Sequence, residues 1–157
     1  MTPQHRKHSG ARPKKTEVDK FLTDEEFTGL LQTAKGLHPY TYPLVVIGGN
    51  VGCRISEVAL LRKEHLRLLQ DGYLMVPTVK RKPTDKTKMP TGYQAERQER
   101  ERRALESATP VPVARALREF LASWAAQQGS EWLFPSPVQA GRPITSRFAI
   151  TLFEAAR

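Results

Sequence analysis

The chain has 157 residues, with 25 Lys+Arg against 16 Asp+Glu for a net charge of +9. That length suits one hydrophobic core with tails, and a sequence pI near 10.0 points to a polyanionic partner. No apolar run reaches the ~18–20 residues that span a bilayer, the start Met1–His8 has no apolar signal-peptide core, and the lone Cys53 excludes a disulfide framework or a Cys-rich zinc site.

Residues 1–20 carry six basic and two acidic residues and no apolar periodicity, so they read as a basic disordered tail. Lys14 and Lys15 are its candidate phosphate contacts. Order is expected from Phe21. Thr23 and Glu26 form a capping-box signature, with Leu22 placed to staple onto Phe27. Phe27, Leu30, Leu31 and Ala34 then make a helical stripe that Gly36 stops. Pro43 suits a first helical turn and leads into the buried run Leu44–Ile47, with Gly48, Gly49 and Gly52 crowding its end. Arg54–Leu61 reads as a short helix, for which Ser56 is a candidate cap.

The period then changes. Asp71-Gly72 between His65–Leu69 and Tyr73–Val76 predicts a hairpin of those two runs. Residues 80–108 lose apolar content and read as a charged insertion. Within it, Glu96–Arg100 and Glu99–Arg103 have the i, i+4 spacing of an exposed helix. Thr109–Pro112 suits a further strand. Val113, Leu117, Phe120, Leu121 and Trp124 mark an amphipathic helix, and Trp132–Ser136 a buried turn or strand. Thr145 or Ser146 caps a last helix with Phe148, Leu152 and Phe153. The fold class is α+β: mostly helical with a small antiparallel sheet. The sequence stops within that last helical pattern, so the fold is expected to be incomplete at its carboxyl end, with core surface left uncovered.

Two features point to chemistry. Residues 80–88 concentrate Lys80, Arg81, Lys82, Lys86 and Lys88 against Asp85, an excess suited to phosphates or to a solvated loop. In Gly52-Cys53-Arg54-Ile55-Ser56-Glu57, an arginine opens a helix among apolar neighbours, with Glu57 three residues on. Glu57 can orient the guanidinium so that its remaining donors face a phosphate. Equally, the pair can be an internal brace between helices. Cys53 beside Arg54 is a candidate low-pKa thiol or a packing residue. No Gly-x-Ser-x-Gly elbow or P-loop is present.

Gly-Cys-Arg-Ile-Ser-Glu-Val-Ala-Leu-Leu resembles the first-arginine motif of the tyrosine recombinases (phage integrases). Phe21–Glu26, Asp71-Gly72-Tyr73-Leu74 followed by Lys80, Val111-Pro112-Val113 and Leu133-Phe134-Pro135-Ser136 are similar to that family's other landmarks, so the likeness runs from 21 to 157 with 80–108 interrupting it. The resemblance implies a partial recombinase catalytic domain over 21–157 that binds double-stranded DNA at the scissile phosphate, in the bacterial or phage nucleoid, without metal or other cofactor and away from membranes. Other recombinase protomers are the implied protein partners. Arg54 matches the first catalytic arginine, Glu57 its supporting acid and Lys80 the hairpin lysine, with Lys82, Lys86 and Lys88 as rivals. Arg81 and the same lysines are the implied DNA contacts.

The family's His-x-x-Arg has no counterpart here, since His5, His8, His38 and His65 begin none. Tyr40, Tyr42, Tyr73 and Tyr93 all lie upstream of where the nucleophile belongs. The chain is therefore expected to be inactive alone. The alternatives are a non-catalytic DNA-binding competitor, a partner-binding fragment or a gene remnant.

Overall fold

The computed structural model describes residues 22–79 and 92–157. The expected basic tail, Lys14 and Lys15, and the cluster of Lys80, Arg81, Lys82, Lys86 and Lys88 lie outside the described residues.

Helix α1, Asp24–Lys35, starts at the expected capping box. The Thr23 amide donates to Glu26 Oε2 at 2.7 Å and the Glu26 amide to Thr23 Oγ1 at 3.2 Å. Leu30 and Ala34 are buried, whereas Leu22 stays about half exposed. Helix α2, Thr41–Val51, buries Thr41 and Pro43–Ile47 and runs through Gly48 and Gly49. Gly49 is there because Phe27 of α1 lies where a Cβ would stand. The helix ends at Gly52, whose φ of 71° is the left-handed cap that glycine adopts without strain.

Helix α3 is a single turn, Ile55–Val58, shorter than the run to Leu61 expected from its apolar spacing. Its amino-terminal cap is Arg54, not Ser56. The Arg54 backbone is extended and its amide donates to Glu57 Oε2 at 2.9 Å, so Glu57 supplies the capping oxygen expected of the serine.

The expected hairpin is corrected. Residues 63–66 form a 3-10 turn, not a strand. Here the Arg62 amide donates to Nδ1 of the buried His65 at 2.9 Å, and Leu69 donates to the Leu66 carbonyl in the next turn. These local bonds use the backbone groups a strand would need. Strand β1, Tyr73–Val76, instead pairs antiparallel with β2, Thr109–Pro112, in the register Leu74 to Val111 and Val76 to Thr109. Pro110 and Pro112 fall at alternate positions of β2, so their missing N–H groups lie on the edge facing away from β1.

Helix α4, Tyr93–Glu106, is the described part of the expected insertion. Both foreseen pairs form, Arg100–Glu96 at 3.5 Å and Arg103–Glu99 at 2.6 Å. The helix is not free of the core, because Ala104 packs with Leu60 and Trp132. Helix α5, Arg115–Gln127, buries Leu117, Leu121 and Ala125. Trp124 Nε1 donates to the Leu133 carbonyl at 2.9 Å, and the Leu133 amide to the Leu61 carbonyl at 2.9 Å. Residues 132–144 thus thread between α5 and the end of α3, with Phe134 fully buried. Helix α6, Ser146–Ala156, is capped by Thr145, whose Oγ1 accepts from the Phe148 amide at 3.1 Å. It packs on α3, α2 and α1. The described residues are therefore mostly helical, with six α-helices and one two-stranded antiparallel sheet. No helix among them is long and apolar enough to cross a membrane.

Candidate functional site

The chain turns at Gly52 and restarts at α3, and this break puts Arg54 at a helix mouth. Its side chain is 50% exposed, while that of Glu57 is only 10% exposed. Glu57 Oε2 is held by the Arg54 amide, and Oε1 accepts from the Val79 amide at 3.3 Å. Arg54 Nη1 stands 3.6 Å from that same Oε1. A buried carboxylate needs such partners, since an unpaired buried charge is strongly unfavourable. Glu57 therefore ties together the start of α3, the segment that follows β1, and one edge of the guanidinium. The other edge of Arg54 is left to solvent, and a guanidinium held on one side keeps donors in a fork suited to oxyanions.

The structure brings Arg54 and Glu57 together as the sequence implied. Lys80 follows Val79 directly in the chain, but it and its basic neighbours lie outside the described residues. The Val79 contact was not foreseen: a backbone amide carries no side-chain signal, and only the tertiary path of the chain brings it to Glu57.

Cys53 is half-buried. Burial, reinforced by the nearby Glu57 carboxylate, pushes its thiol up to about 11. That overturns a low-pKa nucleophile and leaves the packing role. Among the four tyrosines, Tyr40 donates its hydroxyl to the Pro135 carbonyl at 2.8 Å and stacks edge-on against Phe134 and Trp124. Burial raises its pKa. Tyr42 packs edge-on against Phe120, whereas Tyr73 and Tyr93 are exposed.

Beside Arg54 opens a cleft of about 680 Å³ between α1, α2 and α6, lined largely by apolar side chains such as Phe27, Val45, Ile55 and Phe153. A second cavity, of about 380 Å³, lies between α4 and the start of α6 and is lined by Arg97, Arg100 and Arg147. Arg97 and Arg100 sit in a stretch of alternating charge that looks self-neutralising, which is why its sequence points to an exposed helix and not to a cavity. Among the described residues no group of three His, Cys, Asp or Glu is placed to hold a metal ion. No family model, curated protein or solved structure matches the chain.

Proposed function

We propose that the chain is a phosphate-binding part of a tyrosine-recombinase-like catalytic domain, engaging double-stranded DNA through Arg54. The observation that carries this reading is the asymmetry of the Arg54–Glu57 pair. The carboxylate is buried and committed to two backbone amides, whereas the guanidinium is half exposed. The half-exposed guanidinium keeps part of its hydration while Glu57 holds one edge in place. A cation braced from behind and open in front suits a phosphodiester oxygen.

In this reading Glu57 orients Arg54, and Lys80, one residue beyond the Val79 amide that Glu57 holds, supplies the second cation. Arg81, Lys82, Lys86 and Lys88 add sequence-tolerant contacts to neighbouring phosphates. Strand cleavage in the family needs a tyrosine nucleophile. Tyr40 is committed to Pro135 and Tyr42 to aromatic packing, and the exposed Tyr73 and Tyr93 lie upstream of where the family's nucleophile belongs, so in this reading the chain binds the phosphate without cutting it.

The test is fluorescence anisotropy with a labelled duplex across a salt series. Arg54→Ala is expected to weaken binding about tenfold, as for loss of a charge-assisted contact, and the wild-type affinity to fall steeply with salt. Affinity indifferent to both would overturn the reading. Incubation with a nicked suicide duplex is expected to give no covalent product, and an adduct that survives denaturation would refute the non-cutting assignment.

A further inference from the structure

The cleft beside Arg54 joins an apolar lining to a single cation. Leu22, Phe27 and Leu30 form one wall, Val45 and Ile55 the floor, and Phe153 the opposite side. Leu22 is 51% exposed, and Phe27 and Phe153 are only partly buried. Gly48 and Gly49 also line the cleft, so α2 sends no side chain from those positions to fill it. Apolar surface left wet in a concave site favours a ligand with an apolar body.

The polar groups of the lining are few. Arg54 is half exposed, and the Glu57 carboxylate behind it is engaged by two backbone amides and stands outside the lining. Asp24 is the one acidic side chain of the lining among the described residues. It belongs to the first turn of α1, whose positive end favours it. An anionic head group is repelled by Asp24 and attracted to Arg54. The Cys53 thiol also lines the cleft. Burial pushes it up to about 11, so it stays protonated and adds no competing charge.

Size separates the possible occupants. A cleft of about 680 Å³ falls within the ~300–1,000 Å³ of small-molecule sites. Its twelve lining residues fall short of the ~20–30 a side that a stable protein interface uses.

We infer that this cleft binds an alkyl carboxylate, with the chain against Phe27 and Phe153 and the head group on the outer edge of Arg54. A planar carboxylate matches the guanidinium fork. The inference goes beyond DNA binding and shares only Arg54 with it, so such a ligand competes with a duplex phosphate for one guanidinium.

The experiment titrates wild type with hexanoate, octanoate and decanoate below their micelle concentrations, and with 1-octanol. The Gly48, Gly49 and Cys53 amides are followed by NMR. Affinity is expected to rise about fourfold per added methylene and to be about tenfold lower for 1-octanol than for octanoate. In Arg54→Ala, octanoate loses that advantage. Leu22→Glu weakens octanoate binding about fivefold, through lost apolar contact and charge repulsion. Leu37→Glu, a change at another exposed leucine outside the lining, leaves it unaltered.

If no carboxylate moves these amides, or if Arg54→Ala and Leu22→Glu respond as wild type does, the inference is overturned. Amides moved by protein dilution and not by carboxylates show a second copy in the cleft. Amides moved by Phe21→Ala and not by carboxylates show the chain's own preceding segment there. Either result overturns the inference too. Duplex binding is read separately by anisotropy. Arg54-dependent duplex affinity with an unresponsive cleft leaves the proposed function standing without the inference. Arg54-dependent octanoate binding with no duplex binding leaves the inference standing and removes the DNA reading.

Discussion

His65 links acidity to folding. The residue is 2% exposed, and its Nδ1 is consumed as acceptor for the Arg62 amide. Protonating that nitrogen breaks the bond and places a charge in the interior. Burial is the largest cause, and it holds the imidazole down at about 4 against an ordinary 6.5. The unfolded chain therefore binds a proton that the folded chain refuses between those values, and stability is lost as pH falls through that window. A two-state linkage with those two values gives a loss of about 2 kcal/mol between pH 7 and pH 5 from this one group. For a chain of this size that corresponds to a melting temperature roughly 5 °C lower. Glutamine at position 65 keeps a side-chain oxygen for the Arg62 amide and does not titrate. The assay is urea unfolding of wild type and His65→Gln at pH 7, 6 and 5. The difference between the two proteins is expected to change by about 2 kcal/mol across that range, which cancels carboxylates common to both. Parallel pH profiles would refute the reasoning.

Removing the Glu57 carboxylate in Glu57→Ala strands the Arg54 and Val79 amides, so urea unfolding is expected to show a loss of about 2 kcal/mol; no change would show that water replaces it. Gly49→Ala drives a methyl into the Phe27 ring, an overpacking cost of roughly 1–3 kcal/mol that the better helix propensity of alanine offsets only in part. Adding Phe27→Leu is expected to restore much of the loss in thermal melts, and failure to do so would place the strain elsewhere. With its thiol near 11, Cys53 holds about a hundredfold less thiolate at pH 8 than a thiol at its ordinary 9. Iodoacetamide labelling of the folded protein is therefore expected to be slower by about that factor than labelling in urea, and equal rates would contradict its burial.

What the sequence made legible was local. The capping box at Thr23 and Glu26 and the ion pairs of α4 depend on residues within four positions of each other and are found as read, while the structure selects Gly52 from three glycines at the end of α2 and Thr145 over Ser146 as the cap of α6. The errors share a cause. Asp71-Gly72 does turn the chain into β1, but the strand's partner arrives from beyond α4, and nothing in residues 65–72 encodes it. His65 and Leu69 belong to a run patterned for burial, yet the 3-10 turn buries His65 and the turn after it buries Leu69 as well as a strand would. At the site, the pairing of Arg54 with Glu57 followed from their spacing, whereas the Val79 amide and the cavity at Arg147 arise only when distant segments meet.

The pairing of Val76 with Thr109 has a practical corollary. Residues 77–108 begin and end at neighbouring points of one ladder, so that excursion is a closed ring anchored at its neck. The entropy of closing such a ring grows only with the logarithm of its contour, about 0.6 kcal/mol for a doubling. A tag or fluorescent reporter spliced between Lys82 and Lys88 is therefore expected to leave the scaffold standing, with thermal melts as the check.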